Sequence, residues 1–283
     1  MRTGTGTTLD KYNRTLDVSL RTALVFTGGG SRGAVEVGAL KAIANRIRPD
    51  AVIGTSVGAI NAAFYAAGVT PMELERLWLR LTSHFVFPIN WDFIWRPWKA
   101  RSISHPGNLK RFLSDNLPVK TFEECKIPLY INATALRTGR SVFFSSGNII
   151  DAVIASAAIP PYYPPHVIGG VEYVDGGVSN VIAIDEAKAL KCNQVIAVST
   201  YDEQESGQLR NVFKLSSHVL HMVIRCKLHD ELDLETKGFA HKHLTLIKPE
   251  VPANMQITDF SHTRHLIALG EEEAHRMLHH IKV

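Results

Sequence analysis

Apolar residues in the first quarter of the chain alternate between short runs and helical stripes. Residues 23–26 form an apolar run that stops at the glycines of residues 28–30, which is typical of a buried strand ending in a tight loop. In residues 34–47 the apolar positions recur every three or four residues and predict a helix. Residues 51–53 predict a second short strand, and a helix of small residues follows it and ends at Gly68. The order is strand, loop, helix, strand, loop, helix.

This order predicts where the two loops lie. Consecutive strands separated by a helix pair in parallel through a right-handed crossover. The carboxyl ends of parallel strands meet at one edge of the sheet, so both loops are expected there. Each loop also precedes a helix N-terminus, whose free N–H groups attract negative charge.

Further along, the pattern predicts antiparallel pairing as well. One hairpin is expected from residues 128–135 and Ser141–Phe144, and a second from His166–Ile168 and residues 171–174 around two glycines. The remaining predicted elements are helices at residues 183–190, 208–236 and 262–281 and strands at residues 194–199 and Leu244–Ile247. Residues 1–20 show no period and predict a loose arm, and no linker divides residues 21–283, so we expect one α/β domain there.

The composition is that of an ordinary folded chain. Of the 283 residues, 45% are hydrophobic and 20% charged, with a formal net charge of +4. These values exclude collagen-like, low-complexity and broadly disordered chains. The net charge is too small to indicate a nucleic-acid partner, which needs a clustered basic face.

Cysteine usage and the absence of apolar segments bear on location. The three cysteines are widely spaced, which disfavours a disulfide framework and a structural zinc site. The first 20 residues contain no apolar signal-peptide core, and residues 51–72 are too often interrupted by polar and small residues to span a membrane. These features predict a cytoplasmic protein.

A serine lies between two glycines where the second strand meets its helix. The motif is Gly54-Thr55-Ser56-Val57-Gly58, a spacing typical of a nucleophile elbow, in which a sharp turn projects the serine hydroxyl away from the backbone. The motif alone is weakly specific. Its position between a predicted strand and a predicted helix strengthens it.

The first glycine-rich loop offers what a serine nucleophile needs next. Its sequence is Gly28-Gly29-Gly30-Ser31-Arg32-Gly33. Successive glycines at a helix N-terminus expose backbone N–H groups that can stabilise an oxyanion, by roughly 3–4 kcal/mol per donor. A dinucleotide site is the alternative, but it requires an acidic residue at the end of the second strand, where this chain has none.

A serine nucleophile also needs a base. A Ser-Asp-His triad stays open because the chain has 13 histidines. The other candidate is Asp175, followed by Gly176 and Gly177 at the end of a predicted strand, although an Asp-Gly pair is also typical of a surface turn.

Together these motifs resemble the patatin-like phospholipase family. The glycine-rich loop with Arg32, the elbow around Ser56 and the Asp175 motif occur in the family's order, and residues 155–164 are similar to its proline-rich segment. The resemblance implies a three-layer α/β/α fold with a mainly parallel central sheet. It implies that Ser56 attacks a lipid ester, that Asp175 takes its proton and that the glycine loop, chiefly Gly29 and Gly30, holds the oxyanion, with no metal or cofactor. A non-catalytic lipid-binding or regulatory protein on the same scaffold is the alternative.

One aromatic stretch is left unexplained by these motifs. It contains three of the four tryptophans, Trp91, Trp95 and Trp98. The basic residues that follow or interleave with them are Arg96, Lys99, Arg101, Lys110 and Arg111. The stretch predicts either a second hydrophobic core around a long connection, which we favour, or a peripheral contact with an anionic membrane at its inner face.

Overall fold

A computed structural model of the chain describes residues 21–200, 212–238, 244–252 and 255–279. The predicted arm of residues 1–20 lies outside the described residues. Within them, the strands are β1 (Thr22–Phe26), β2 (Ala51–Thr55), β3 (Leu129–Ala135), β4 (Ser141–Phe144), β5 (His166–Ile168), β6 (Val171–Asp175), β7 (Gln194–Val198) and β8 (Leu244–Ile247). The helices are α1 (Ala34–Ile43), α2 (Val57–Ala66), α3 (Pro71–Trp78), α4 (Ser83–Val86), α5 (Trp91–Trp95), α6 (Gly107–Asn116), α7 (Ile149–Ser156), α8 (Ile184–Ala189), α9 (Val212–Gly238) and α10 (Thr263–Leu278).

The described strands form one eight-stranded mixed sheet. Strands β3, β2, β1, β7 and β8 lie side by side and are parallel. Strands β4 and β6 are antiparallel to β3, and β5 is antiparallel to β6. The predicted parallel pairing of the first two strands, both predicted hairpins and the predicted mainly parallel sheet are confirmed.

Helices cover both faces of the sheet. Side chains along each strand point alternately to the two faces, so the apolar strands contribute to a core on each side. In β1, Leu24 and Phe26 face a core shared with α1, α2 and α10, whereas Ala23 and Val25 face a second core. That second core is completed by α8 and by the buried side of α9, which contributes Ile224. The layers are therefore helix, sheet, helix, as the resemblance implied.

Several predicted boundaries differ from the structure by a few residues. The helix predicted at residues 34–47 ends at Ile43. The chain then makes one further turn, in which the N–H of Ile47 bonds to the carbonyl of Ile43 at 2.9 Å, so Ile47 is still buried at the helical spacing. The second strand extends to Thr55, and its helix ends at Ala66 instead of Gly68. The outer residues of two predicted helices, 208–211 and 280–281, lie outside the described residues.

Candidate active site

The register of β3 brings the elbow and the Asp-Gly-Gly motif together. Thr55, the last residue of β2, pairs with Asn132 of β3, and Asp175, the last residue of β6, pairs with Ala133. Both strands lie on the same edge of β3, because β4 occupies the other edge in this region. Strands β2 and β6 run in opposite directions, so their carboxyl ends meet beside two consecutive residues of β3.

Ser56 occupies the sharp turn between β2 and α2. Its backbone has φ 57° and ψ −126°, a combination that a residue with a Cβ rarely adopts. Such a conformation costs roughly 1–3 kcal/mol and persists only where the surroundings impose it. Here the N–H of Ser56 donates to the hydroxyl of Ser156 at the end of α7, at 2.8 Å. A Cβ on Gly58 would lie 2.1 Å from the carbonyl oxygen of Thr27, so the glycine lets α2 begin this close to β1.

The hydroxyl of Ser56 donates to the carboxylate of Asp175. The Oγ–Oδ2 distance is 2.6 Å, and both side chains are buried. The other carboxylate oxygen, Oδ1, accepts the N–H of Gly177 at 2.8 Å. Thr134 donates its hydroxyl to the Asp175 carbonyl at 2.8 Å, and the Asp175 N–H donates to the Ala158 carbonyl at 3.0 Å. The carboxylate is thus held in one orientation, with Oδ2 facing the serine.

Burial changes the acidity of this carboxyl group. Only 1% of Asp175 is exposed, and loss of hydration raises its pKa from the ordinary value to about 6. Hydrogen bonds from Ser56 and Gly177 oppose the shift because they stabilise the charged form. Asp175 is therefore ionised at neutral pH and is also a stronger base than an exposed aspartate. Its Oδ2 lies within proton-transfer distance of the Ser56 hydroxyl.

The glycine-rich loop is held by a distant part of the chain. The N–H of Ser31 donates to the Ile257 carbonyl at 2.7 Å, and the Arg32 guanidinium donates to the Met255 carbonyl at 2.7 Å. The carbonyl of Gly28 accepts the Thr200 hydroxyl. These bonds fix the conformation of the loop from outside the motif itself.

The same bonds decide which N–H groups of the loop are free. The N–H groups of Ser31 and Arg32 are already used, the second by the Gly29 carbonyl at 3.3 Å. Those of Gly28, Gly29 and Gly30 donate to no acceptor among the described residues. Gly30 has φ 60° and lines the same cavity as Ser56. Free backbone donors therefore belong to the glycines at the start of the loop, and Ser31, Arg32 and Gly33 serve its anchoring and packing.

An apolar cavity opens beside Ser56. Its walls come from the helices above the sheet and from the segment that precedes α10, and no histidine is among the described residues that line it. The lining residues are Gly30, Ser56, Val57, Ile60, Trp78, Leu81, Val86, Phe87, Leu109, Phe112, Ala157, Ile159, Tyr163, Ile257 and Phe260. Such a surface favours a hydrocarbon chain over a charged or hydrogen-bonding group.

A buried polar network supports one wall of this cavity. The indole N–H of Trp78 donates to the side-chain oxygen of Asn61 at 2.8 Å, and the Asn61 amide donates to Glu36 at 2.7 Å and to the Gly33 carbonyl at 3.0 Å. Burial raises the pKa of Glu36 well above its ordinary range, against the opposing hydrogen bond from Asn61. The network ties the glycine-rich loop to Trp78.

Comparison with known proteins decides the family. The family model for patatin-like phospholipase matches residues 24–188, more than half of the chain. The chain belongs to the patatin-like phospholipase family.

Relatives in this family are distant and mostly longer. A lysophospholipase, nte1, of Aspergillus terreus is 30% identical over 180 residues, which cover 62% of this chain and 12% of the relative. An NTE family protein of Mycobacterium bovis is 28% identical over 195 residues, covering 68% of this chain and 52% of the relative. The chain thus spans about half or less of these relatives. Among solved structures, VipD from Legionella pneumophila aligns with a TM-score of 0.48 and 13% identity, over 92% of this chain and 67% of VipD.

Sequence reasoning missed part of the surroundings of this patatin-like site. The contacts from Met255 and Ile257 carry no local motif, because backbone carbonyls bind the loop irrespective of side chain. Ser156 lies in the proline-rich segment that carried the resemblance, but its bond to the elbow could not be derived from the motif.

No group of three or more His, Cys, Asp or Glu is arranged to hold a metal ion in the described parts of the chain.

The aromatic stretch of this family member is not a second core. Trp91, Trp95 and Trp98 are 64%, 73% and 78% exposed, so the favoured interpretation is wrong for these three residues. Two residues that precede these tryptophans do pack inward: Val86 is buried, and Phe87 lines the cavity. The described residues include no helix long and apolar enough to cross a bilayer.

Proposed function

We propose that this protein is a serine lipid acyl hydrolase that cleaves carboxylic esters of lipids through a Ser56–Asp175 dyad. The observation that carries the proposal is the 2.6 Å hydrogen bond from Ser56 Oγ to Asp175 Oδ2 at the wall of an apolar cavity. Family membership and a relative named as a lysophospholipase support a lipid ester as the substrate class.

In the first half of the proposed reaction, the acyl chain lies in the apolar cavity with its ester carbonyl next to Ser56. Ser56 Oγ attacks the carbonyl carbon while its proton passes to Asp175 Oδ2. Negative charge develops on the carbonyl oxygen and is stabilised by the free N–H groups of Gly28, Gly29 and Gly30. When the intermediate collapses, the C–O bond to the alcohol breaks and Asp175 returns its proton to the leaving oxygen.

In the second half, water replaces the alcohol. Asp175 accepts a proton from the water molecule, whose oxygen attacks the acyl carbon of the acyl-Ser56 ester. The second intermediate collapses to release the fatty acid, and the proton on Asp175 returns to Ser56 Oγ. Protons balance over the cycle, and no other co-reactant is required.

The remaining proposals concern the whole protein. We propose that residues 21–283 act as one patatin-like domain, that the protein works in the cytoplasm at the inner face of a membrane, and that its partner is lipid and not nucleic acid. The shared eight-stranded sheet supports the first of these.

A fluorophosphonate probe tests the proposal directly, because it reacts with activated serines and poorly with ordinary ones. We expect one covalent adduct, located at Ser56 by mass spectrometry of the digested protein. Ser114→Ala, which alters an exposed serine on α6, should be labelled like the wild type. A folded protein without an adduct at Ser56 would instead favour the non-catalytic alternative.

Activity should depend on pH through Asp175. Because its pKa is raised to about 6 and only the ionised carboxylate accepts a proton, kcat/KM for an uncharged ester should be constant above pH 7. Below pH 6 it should fall about tenfold per pH unit. The measurement is a rate profile from pH 4 to pH 9, within the range where circular dichroism shows the protein folded.

The matched control for this profile is Glu36→Gln. Glu36 is also buried with a raised pKa, but it bonds to Asn61 and not to Ser56. The amide keeps an acceptor for Asn61, so the midpoint should stay near pH 6. A wild-type profile that is still flat at pH 5 would be inconsistent with Asp175 as the base.

A further inference from the structure

Residues 88–104, here called the tryptophan segment, form a loop that is pinned at its base. Ile89 and Ser104 form an antiparallel bridge, and the N–H of Asn90 donates to the Ile103 carbonyl at 3.0 Å. The Ser104 hydroxyl donates to the Pro88 carbonyl at 2.6 Å. The two ends of the segment are therefore held side by side.

The middle of this segment is apolar and exposed. Trp91, Ile94 and Trp95 lie at positions i, i+3 and i+4 of α5 and share one face, and Ile94 is 49% exposed. Trp98 follows at 78% exposed. Leaving several large apolar side chains in water is unfavourable, and a contiguous patch of this kind marks an interaction surface.

The charged residues of the segment indicate which kind of partner it binds. Its charged residues are three basic ones, Arg96, Lys99 and Arg101, and one acidic one, Asp92. Arg101 pairs with Glu172 at 2.7 Å, whereas Arg96 and Lys99 are exposed beside the tryptophans. Tryptophan is enriched at the headgroup level of bilayers, and adjacent arginine and lysine are attracted to anionic lipid.

The segment is continuous with the cavity at Ser56. Its base bonds to the proline-rich segment, through the N–H of Ser104 to the Tyr162 carbonyl at 2.9 Å. Phe87, immediately before the segment, stacks on Tyr163 with ring centroids 5.3 Å apart, and both rings line the cavity. A binding partner that contacts the tryptophans would therefore lie next to the cavity.

We propose that the tryptophan segment docks the protein on an anionic lipid bilayer, with Trp91, Trp95 and Trp98 at the headgroup level. The inference deepens the proposed function and rests on it for the identity of the substrate, since docking places the cavity beside lipid esters. Exposed tryptophans alone suit a protein partner equally well. The basic residues among them favour anionic lipid.

The experiment measures binding of the full chain to vesicles by co-sedimentation. Vesicles contain phosphatidylcholine alone or with one third phosphatidylglycerol. The variants are a triple change, Trp91→Ala, Trp95→Ala and Trp98→Ala, and a double change, Arg96→Glu and Lys99→Glu. The charge control is Arg48→Glu with Lys191→Glu. It reverses two exposed basic residues at the amino ends of β2 and β7, whereas Ser56 lies at the carboxyl end of β2. Met72→Ala, at a residue 62% exposed on α3, is the apolar control.

We expect the wild type to bind the anionic vesicles more tightly than the neutral ones, and added salt to weaken that binding. Each charge at an anionic surface contributes about fivefold in affinity, so the double change should lower affinity for anionic vesicles at least tenfold. The triple change should lower it by a similar factor, and both controls should bind like the wild type. Hydrolysis of a water-soluble short-chain ester should stay within twofold in every variant.

Several outcomes would overturn the proposal. The first is that the triple variant binds vesicles as tightly as the wild type, and the second is that the wild type binds neutral and anionic vesicles equally. The third is that the triple variant changes its oligomeric state, measured by light scattering, without a change in vesicle binding. The last would indicate a second copy of the chain as the occupant. Failure of the proposed function looks different, because the wild type would then bind vesicles without hydrolysing the soluble ester.

Discussion

Replacing Ser56 by alanine is expected to lower ester hydrolysis by about 10⁴-fold or more, the usual consequence of removing a serine nucleophile. No other hydroxyl is held 2.6 Å from the Asp175 carboxylate in the described part of the chain. The measurement is initial-rate hydrolysis of a short-chain p-nitrophenyl ester. A comparison of the lipid products formed by wild type and variant would then show which natural esters are cleaved.

Ser56→Ala should leave the fold intact, which makes the result interpretable. Alanine keeps the Cβ and the backbone N–H that bonds to Ser156, so the turn between β2 and α2 keeps its support. The circular dichroism spectrum should match that of Ser114→Ala, with a lower melting temperature at neutral pH because the ionised Asp175 loses its hydrogen bond from Ser56. A variant that kept a tenth of the wild-type rate would rule out Ser56 as the nucleophile.

Replacing Asp175 by asparagine should abolish activity and, above pH 6, stabilise the protein. The asparagine oxygen can still accept the N–H of Gly177, which leaves the NH₂ group facing Ser56. The serine then has no acceptor for its proton, and hydrolysis should fall by about the same factor as in Ser56→Ala.

The gain in stability follows from the raised pKa. Asp175 has a pKa of about 6 in the folded protein and its ordinary value of 3.8 when unfolded, so the folded state holds the proton more tightly. Its contribution to stability is fully present below pH 3.8 and is lost as the pH rises through about 6. At pH 8 the ionised group destabilises the fold by about 3 kcal/mol, which asparagine removes.

Urea unfolding at pH 8 and at pH 4 measures this effect. Asp175→Asn should be more stable than wild type at pH 8, and the difference should largely disappear at pH 4. Asp115→Asn, at an exposed position on α6, should change neither activity nor stability noticeably. If Asp175→Asn stayed active while a histidine variant lost activity, a triad would replace the dyad.

The Ser56 loop and the glycine-rich loop were predictable because their signals are local. A short apolar run followed by glycine and a helical stripe predicts a strand, a turn and a helix, and the right-handed crossover places both loops at one sheet edge. The residue pattern alone identifies Asp175 only as a residue at the end of a strand, and its pairing with Ser56 follows from the family resemblance. Its distance from Ser56 depends on β3, to which the sequence offered no pairing partner apart from the hairpin with β4.

The sequence by itself determined the order of strands and helices and the turn that carries Ser56. It also supplied the candidate partners of that serine, a glycine-rich loop and an aspartate at the end of a strand. The tertiary structure decided which of those groups meet. It placed β6 at the end of β2 along one edge of β3, held the glycine-rich loop by carbonyls from residues 255–257, and buried Asp175 so that its pKa rises. It also left the tryptophans exposed. Aromatic residues suit a core and a membrane surface equally well, so their pattern alone did not decide between the two. Local patterns specify backbone conformation, whereas the burial of a side chain and its distance from other residues depend on which distant segments pack together.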